Sequence, residues 1–200
     1  YDFHALADGR LGMVIADVSG KGIPAALFMA LSVTVLRYGM SIALPPDEVL
    51  RHANEMIISE QRSRMFATTF VGYLAPASGE MLFACGGHNP PLWYHAATGA
   101  VDYVTAQGVA IGIFKEAEFI PDWLRLEPGD IFVLYTDGIT EAENMDGAEY
   151  SPERLVQFFA KAGGTPGAQV LERLLEEVSG FAGTARFRDD VTLVLLENGR

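Results

Sequence analysis

The chain has 200 residues, half of them apolar and a fifth charged, with a formal net charge of -12. That length and composition describe a soluble globular domain able to bury its own core. The acidic balance argues against a nucleic-acid partner, since phosphate backbones are gripped by lysine and arginine. The longest apolar runs are interrupted by charges or glycines, so neither a membrane-spanning segment nor membrane contact by this domain is expected.

In chain order, residues 1–6 and 11–18 read as strands around the turn Ala7-Asp8-Gly9-Arg10. After Gly20-Lys21-Gly22 the period changes, and 23–40 reads as a helix with Pro24 in its first turn. A second helix is expected over 47–61, announced by Pro45-Pro46. Strands follow at 65–74 and 80–86 around Pro76-Ala77-Ser78-Gly79, then at 91–95 and 101–105 around Ala97-Thr98-Gly99. A further hairpin is expected from 119–126 and 131–135 around Glu127-Pro128-Gly129-Asp130. Helices at 151–161 and 166–178 and a strand at 191–197 complete the pattern. Strand–helix alternation of the parallel-sheet kind is missing. The order predicts an α+β fold: two packed, mainly antiparallel β-sheets flanked by helices. The single cysteine, Cys85, lies in a strand-like run as a small core residue and suits a reducing cytoplasm.

Three segments place aspartate at the end of an apolar strand. They are Val14-Ile15-Ala16-Asp17-Val18-Ser19-Gly20, Phe132-Val133-Leu134-Tyr135-Thr136-Asp137-Gly138, and Arg188-Asp189-Asp190-Val191-Thr192. Aspartate before glycine is a common turn residue, and that reading serves each segment taken singly. Carboxylates converging from strand tips repel one another unless a cation sits among them. Spacing and composition leave both readings open.

Four motifs occur in order: Asp17-Val18-Ser19-Gly20-Lys21-Gly22-Ile23-Pro24-Ala25-Ala26, Ala84-Cys85-Gly86-Gly87-His88-Asn89-Pro90-Pro91, Leu134-Tyr135-Thr136-Asp137-Gly138-Ile139-Thr140-Glu141-Ala142, and Arg188-Asp189-Asp190-Val191-Thr192-Leu193. Together they resemble the SpoIIE-type class of PPM-type (type 2C) bacterial serine/threonine phosphatases, over nearly the whole chain. The resemblance implies that Asp17 bridges two metal ions and that the Val18 carbonyl binds the first. It implies that Asp137 and Asp189 bind the second, with Asp190 at a more variable position. Asp17, Asp137 and Asp189 are thus the candidate catalytic residues, and Asp17, Val18, Asp137 and Asp189 the candidate metal ligands. Oxygen donors of this kind suit two Mn2+ or Mg2+ ions, and no Cys/His cluster competes for a softer metal.

The resemblance further implies a cytoplasmic enzyme acting on a phosphorylated anti-sigma-factor antagonist, under an upstream sensor or receiver module through which it could form a homodimer. One departure stands out. Family members open with a Gly-Gly-Asp-Tyr-Tyr-Asp-Phe-like strand whose first aspartate binds metal, whereas Tyr1-Asp2-Phe3 matches only its tail. The chain therefore reads as one phosphatase domain over 1–200 truncated at its N-terminal strand, and the alternative function is a pseudophosphatase that binds and signals. Asp2 reads as an outer carboxylate or an exposed edge-strand charge. His88 is read as bracing its Gly/Pro-rich loop rather than as an acid–base group. Lys21 is read either as a phosphate-attracting cation or as a solvated loop lysine, and Thr136 and Thr192 as making local bonds. The first two helices are read as ordinary amphipathic elements, with a metal-coupled switch as the alternative.

Overall fold

The structure, a computed structural model, describes residues 1–60, 65–163, 165, 167–184, 187 and 189–199. The expected helix end at Gln61, helix start at Pro166 and motif residue Arg188 lie outside them. The chain forms two compact units, Tyr1–His88 with Ala106–Arg125, and Asn89–Thr105 with Leu126–Arg200.

In the first unit, β1 (Asp2–Ala5), β2 (Leu11–Val18), β3 (Ala67–Ala75), β4 (Glu80–Gly86) and β7 (Asp122–Arg125) form one antiparallel sheet in the order β1-β2-β3-β4-β7. The strictly alternating burial of β1 marks an edge strand with one wet face, whereas β2 and β3 carry long buried runs. Two helices, α1 (Ile23–Ser41) and α2 (Pro46–Glu60), cover this sheet. Val14, Val71, Tyr73 and Ala84 of the sheet meet Val35, Leu36, Met40, Val49, Leu50, Ala53 and Ile57 of the helices in one core cluster. Burying each large side chain of that set is worth roughly 1.5–3 kcal/mol.

α1 departs from the amphipathic expectation. It buries only Phe28, Ser32, Val35, Leu36, Gly39 and Met40, while Ile23, Leu27, Leu31 and Tyr38 are exposed. By length and composition α1 could cross a membrane, but within this unit its inner stripe is part of the sheet-facing core. α2 follows the sequence rules more closely, opening on Pro46 with Asp47 and Glu48 in its first turn, where the helix dipole favours acids.

In the second unit, β5 (Leu92–Tyr94), β6 (Val101–Tyr103), β8 (Ile131–Tyr135) and β9 (Leu193–Glu197) form an antiparallel sheet in the order β6-β5-β8-β9. Every residue of β8 is buried, as its central position requires. The unit also holds the single-turn helix α3 (Asp137–Thr140), then α4 (Pro152–Lys161) and α5 (Gly167–Ala182). Leu155, Phe159, Val170 and Leu174 from α4 and α5 share a core with Val133 and Tyr135.

The two antiparallel sheets with flanking helices are those expected, but one hairpin is not. The turn at Glu127–Asp130 closes, with the Asp130 amide donating to the Glu127 carbonyl at 2.9 Å and Gly129 at φ 87°. Yet β7 pairs with β4 and β8 with β5 and β9, so the strands on either side belong to different sheets. The reason lies in the Asp130 side chain, which is buried and accepts hydrogen bonds from Trp93 Nε1 at 2.9 Å, the Ala96 amide at 2.9 Å and the Glu127 amide at 3.0 Å. It ties the turn to the β5–β6 hairpin instead of to β7. Asp130→Ala strands these donors, and the expected loss is about 3 kcal/mol, a fall of roughly 6–12 °C in melting temperature by calorimetry.

Candidate functional site

The first group of candidate residues lies where β2 ends. Asp17 and Val18 are half-buried, and their strand partners across the ladder are Thr68 and Ala67 of β3. Pairing continues one residue further, because the Ser19 amide donates to the Phe66 carbonyl at 2.9 Å and the Phe66 amide donates to Ser19 Oγ at 3.0 Å. The chain then turns through Gly20 (φ 91°) and Gly22 (φ 79°) into α1, a left-handed backbone that favours glycine at both positions. Asp17 and the Val18 carbonyl are therefore placed by a strand still paired with β3, just before the turn into α1.

His88 sits beside this end of β3. It is buried, its Nδ1 lies 3.1 Å from Thr68 Oγ1, and its carbonyl accepts from the Cys85 thiol at 3.6 Å. At Gly87 (φ 70°) a Cβ would stand 2.9 Å from the Ala110 amide nitrogen. These contacts make the Gly/Pro-rich segment a brace for the loop, as the sequence suggests. Burial pushes the Cys85 thiol up, in keeping with an inert core cysteine.

Asp2 is placed by an ion pair. Its two carboxylate oxygens accept from Arg37 Nε and Nη2 of α1, both at 2.7 Å. The hydrogen bond from Arg37 is the leading cause that holds the Asp2 carboxyl below its ordinary 3.8. A carboxyl lowered on folding adds stability above its unfolded pKa and loses it as pH falls through the folded value. Asp2→Asn should therefore lower the melting temperature at pH 7, and its gap from the natural protein should close as pH drops below about 3.8. Melting curves from pH 7 to 3 measure this. In the same unit, a cavity of about 420 Å³ lined by residues including Arg10, Tyr73, Leu82 and Trp123 lies toward the opposite end of β3 from Thr68.

The second group lies where β8 ends. Thr136 Oγ1 donates to the Asp190 carbonyl and accepts from the Thr192 amide, both at 2.9 Å, while its own amide donates to the Thr192 carbonyl at 3.1 Å. That buried hydroxyl pins the start of α3 to the segment before β9. Gly138 packs so closely that a Cβ there would come 2.5 Å from the Asp190 carbonyl oxygen and 3.3 Å from that of Asp189. The structure thus brings Asp137 and Asp189 together within this unit. Asp189 Oδ1 accepts from the Asp190 amide at 2.8 Å.

Asp137 Oδ1 is buried and has no hydrogen-bond partner among the described residues. A carboxylate oxygen withdrawn from water without a donor is costly. Its surroundings add to the strain: Glu141 is pushed above its ordinary value first by burial, then by Asp137, Glu149 and Asp189. Glu141 lies in the third motif, where nothing in the residue pattern separates it from its neighbours. Its position four residues after Asp137, about one helical turn, is the signal that could have found it. Among the described residues no three His, Cys, Asp or Glu side chains form a ready-made metal cluster. The unpartnered Oδ1 and the like charges beside it nonetheless fit a hard divalent cation, which would satisfy the first and neutralise the second.

The sequence of residues 7–198 matches the family described as Stage II sporulation protein E (SpoIIE). The chain belongs to the SpoIIE family. Phosphoserine phosphatase RsbU of Bacillus subtilis is 31% identical over 157 residues, covering 76% of this chain and 45% of RsbU. The RsbU and RsbW domains of Rv1364c from Mycobacterium tuberculosis share the fold at a TM-score of 0.81 and 30% identity, covering 97% of this chain and 54% of that one. The SiaA-PP2C domain of Pseudomonas aeruginosa superposes at a TM-score of 0.85 with 18% identity, over 98% of this chain and 78% of that one. The chain spans less than half the length of the curated relatives it matches. The PPM-type phosphatase fold expected from the motifs is the fold found. Phosphatases of this class are metal-dependent, and one solved neighbour is in complex with magnesium.

Proposed function

We propose that this SpoIIE-family domain is a protein serine/threonine phosphatase whose two Mn2+ or Mg2+ ions are held by Asp17, the Val18 carbonyl, Asp137 and Asp189. The observation that carries this reading is the buried, unpartnered Asp137 Oδ1 beside Asp189 at the end of a fully buried strand. Asp17 and Val18 enter through the resemblance of their motif, and the rigid end of β2 supports them as fixed donors. Paired divalent ions supply Lewis-acid polarisation of a phosphoryl group and lower the pKa of water near them.

The residues of this chain supply position. β8 and β9 fix Asp137 and Asp189 through Thr136, so little reorganisation is needed when charge develops on the phosphoryl oxygens. Such chemistry needs no serine or cysteine nucleophile, and the buried Cys85 with its raised pKa is unsuited to that role.

The substrate on this reading is a phosphoserine or phosphothreonine of a small regulatory protein, an anti-sigma-factor antagonist. The named activity of RsbU and the joining of RsbU and RsbW domains in one chain support that class. Regulation falls to an upstream module in a cytoplasmic protein, with dimerisation through that upstream region; the larger size of the relatives supports this arrangement.

The test is hydrolysis of a phosphoserine protein by the full-length protein with Mn2+, with chelator, and with Asp17→Asn. Turnover should need the metal and fall at least about a hundredfold in the variant. Turnover that survives both treatments overturns the mechanism. Binding of the phosphoprotein without turnover under any metal would instead establish a signalling domain.

A further inference from the structure

Asn54 is a buried amide in the middle of α2, flanked on the same face by the core residues Leu50, Ala53 and Ile57. A polar side chain there is costly unless both ends of its amide are used. Both are: Asn54 Nδ2 donates to the Phe114 carbonyl at 2.9 Å, and Asn54 Oδ1 accepts from the Gly112 amide at 2.8 Å. The two bonds grip the backbone of one loop segment, 112–114, as a neighbouring strand would.

That segment is itself the next rung of a continuous ladder. Ile111 and Ala67 exchange both backbone hydrogen bonds, at 2.9 and 3.0 Å. Ala67 is the strand partner of Val18, and the adjoining Phe66 is doubly bonded to Ser19. Gly112 (φ 94°) holds the rung tightly, since a Cβ there would stand 2.9 Å from the Met65 carbonyl oxygen and 3.4 Å from Ile57 Cγ2. From Asn54 to Ser19 there is thus a continuous path of hydrogen bonds and the peptide links Ile111–Gly112 and Phe66–Ala67, inside one compact unit.

We infer that Asn54 is a positioning residue for the Asp17-Val18-Ser19 segment, acting through the 111–114 loop and the start of β3. The metal aspect of this inference rests on the proposed role of Asp17 and Val18; the ladder itself does not. Its physical basis is that a rigid support keeps donor atoms in place: losing a group bonded directly to a ligand weakens metal binding by roughly 10–100-fold, and Asn54, acting through the ladder, is placed at the lower end of that range.

The experiment compares Asn54→Ala with Val49→Ala in the full-length protein. Val49 is fully buried on the same helix and packs on Gly39, away from the ladder, so its truncation destabilises without touching a rung. Two readouts are taken: Mn2+ affinity by calorimetry, and amide hydrogen exchange at Ser19 and Phe66 relative to Val71 and Ala84 in the same sheet. Asn54→Ala should weaken Mn2+ binding about tenfold and quicken exchange selectively at Ser19 and Phe66. Val49→Ala should leave the affinity within about twofold and shift both amide sets alike. Equal effects of the two substitutions, or unchanged exchange at Ser19 in Asn54→Ala, overturn the inference. If the natural protein binds no Mn2+, the metal reading of Asp17 fails by itself, and the exchange comparison still decides whether Asn54 supports the segment.

Discussion

Asp137→Asn is expected to lower phosphatase turnover about a thousandfold while leaving the metal-free protein at least as stable as before. Polarisation by a bound ion is worth several kcal/mol in the transition state, and each 1.36 kcal/mol is a factor of ten in rate. The stability half of the expectation comes from the surroundings of the carboxylate. Asp137 Oδ1 is buried and without a partner among the described residues, and its charge adds to the effect of burial in raising the pKa of Glu141 nearby. Removing a negative charge that stands among Glu141, Glu149 and Asp189 relieves repulsion, so the ordinary penalty for altering a buried polar group is offset. Metal should separate the two proteins a second way. A ligand that binds only the folded state raises its melting temperature with concentration. Added Mn2+ should therefore raise the melting temperature of the natural protein and move that of Asp137→Asn little. A variant that loses turnover but keeps the whole metal-induced rise would show that Asp137 does not hold the ion.

How much of this was legible in the sequence depended on whether the signal was local. The limits of β2, β4 and β8 agree with the expected strands because long apolar runs stop abruptly at Gly, Ser or Thr. The hairpins β3–β4 and β5–β6 were readable for the same reason, since a short turn leaves the strands no other partner. The Glu127–Asp130 turn misled because turn chemistry says that the chain reverses, not which sheet receives the strand. That choice was made by the Asp130 side chain reaching Trp93 and Ala96, more than thirty residues earlier. α3 escaped notice because four residues give no period to read. Among site residues, Asp2 resolved into an ion pair with Arg37, a partner 35 positions away that no spacing rule links to it. Asn54 carried a readable signal: a lone amide on the apolar face of a helix must bond something, although the sequence could not say what.

Gly138→Ala is the second large effect, and it tests the geometry of the site without removing a charged group. Gly138 has no left-handed backbone requirement, and within a helix alanine is ordinarily preferred by about 1 kcal/mol. What opposes it is contact alone. The added Cβ would meet the Asp190 carbonyl oxygen at 2.5 Å and its carbon at 3.0 Å, both backbone atoms held by Thr136 Oγ1 and the Thr192 pairing. Because that backbone cannot rotate away as a side-chain end would, α3 and the Asp189-Asp190 segment must separate. The expected cost is about 1–3 kcal/mol of stability. The expected loss in turnover is roughly a hundredfold, since a displacement near 1 Å is enough to spoil a reacting geometry. Gly180→Ala in α5 is the matched control: it lies in a helix, a Cβ there meets nothing within 4 Å, and the substitution should be neutral or stabilising with full activity. If Gly138→Ala behaves like Gly180→Ala, the close approach of α3 to Asp189 and Asp190 does not set the position of the carboxylates, and their pairing in this unit would have to be explained without it.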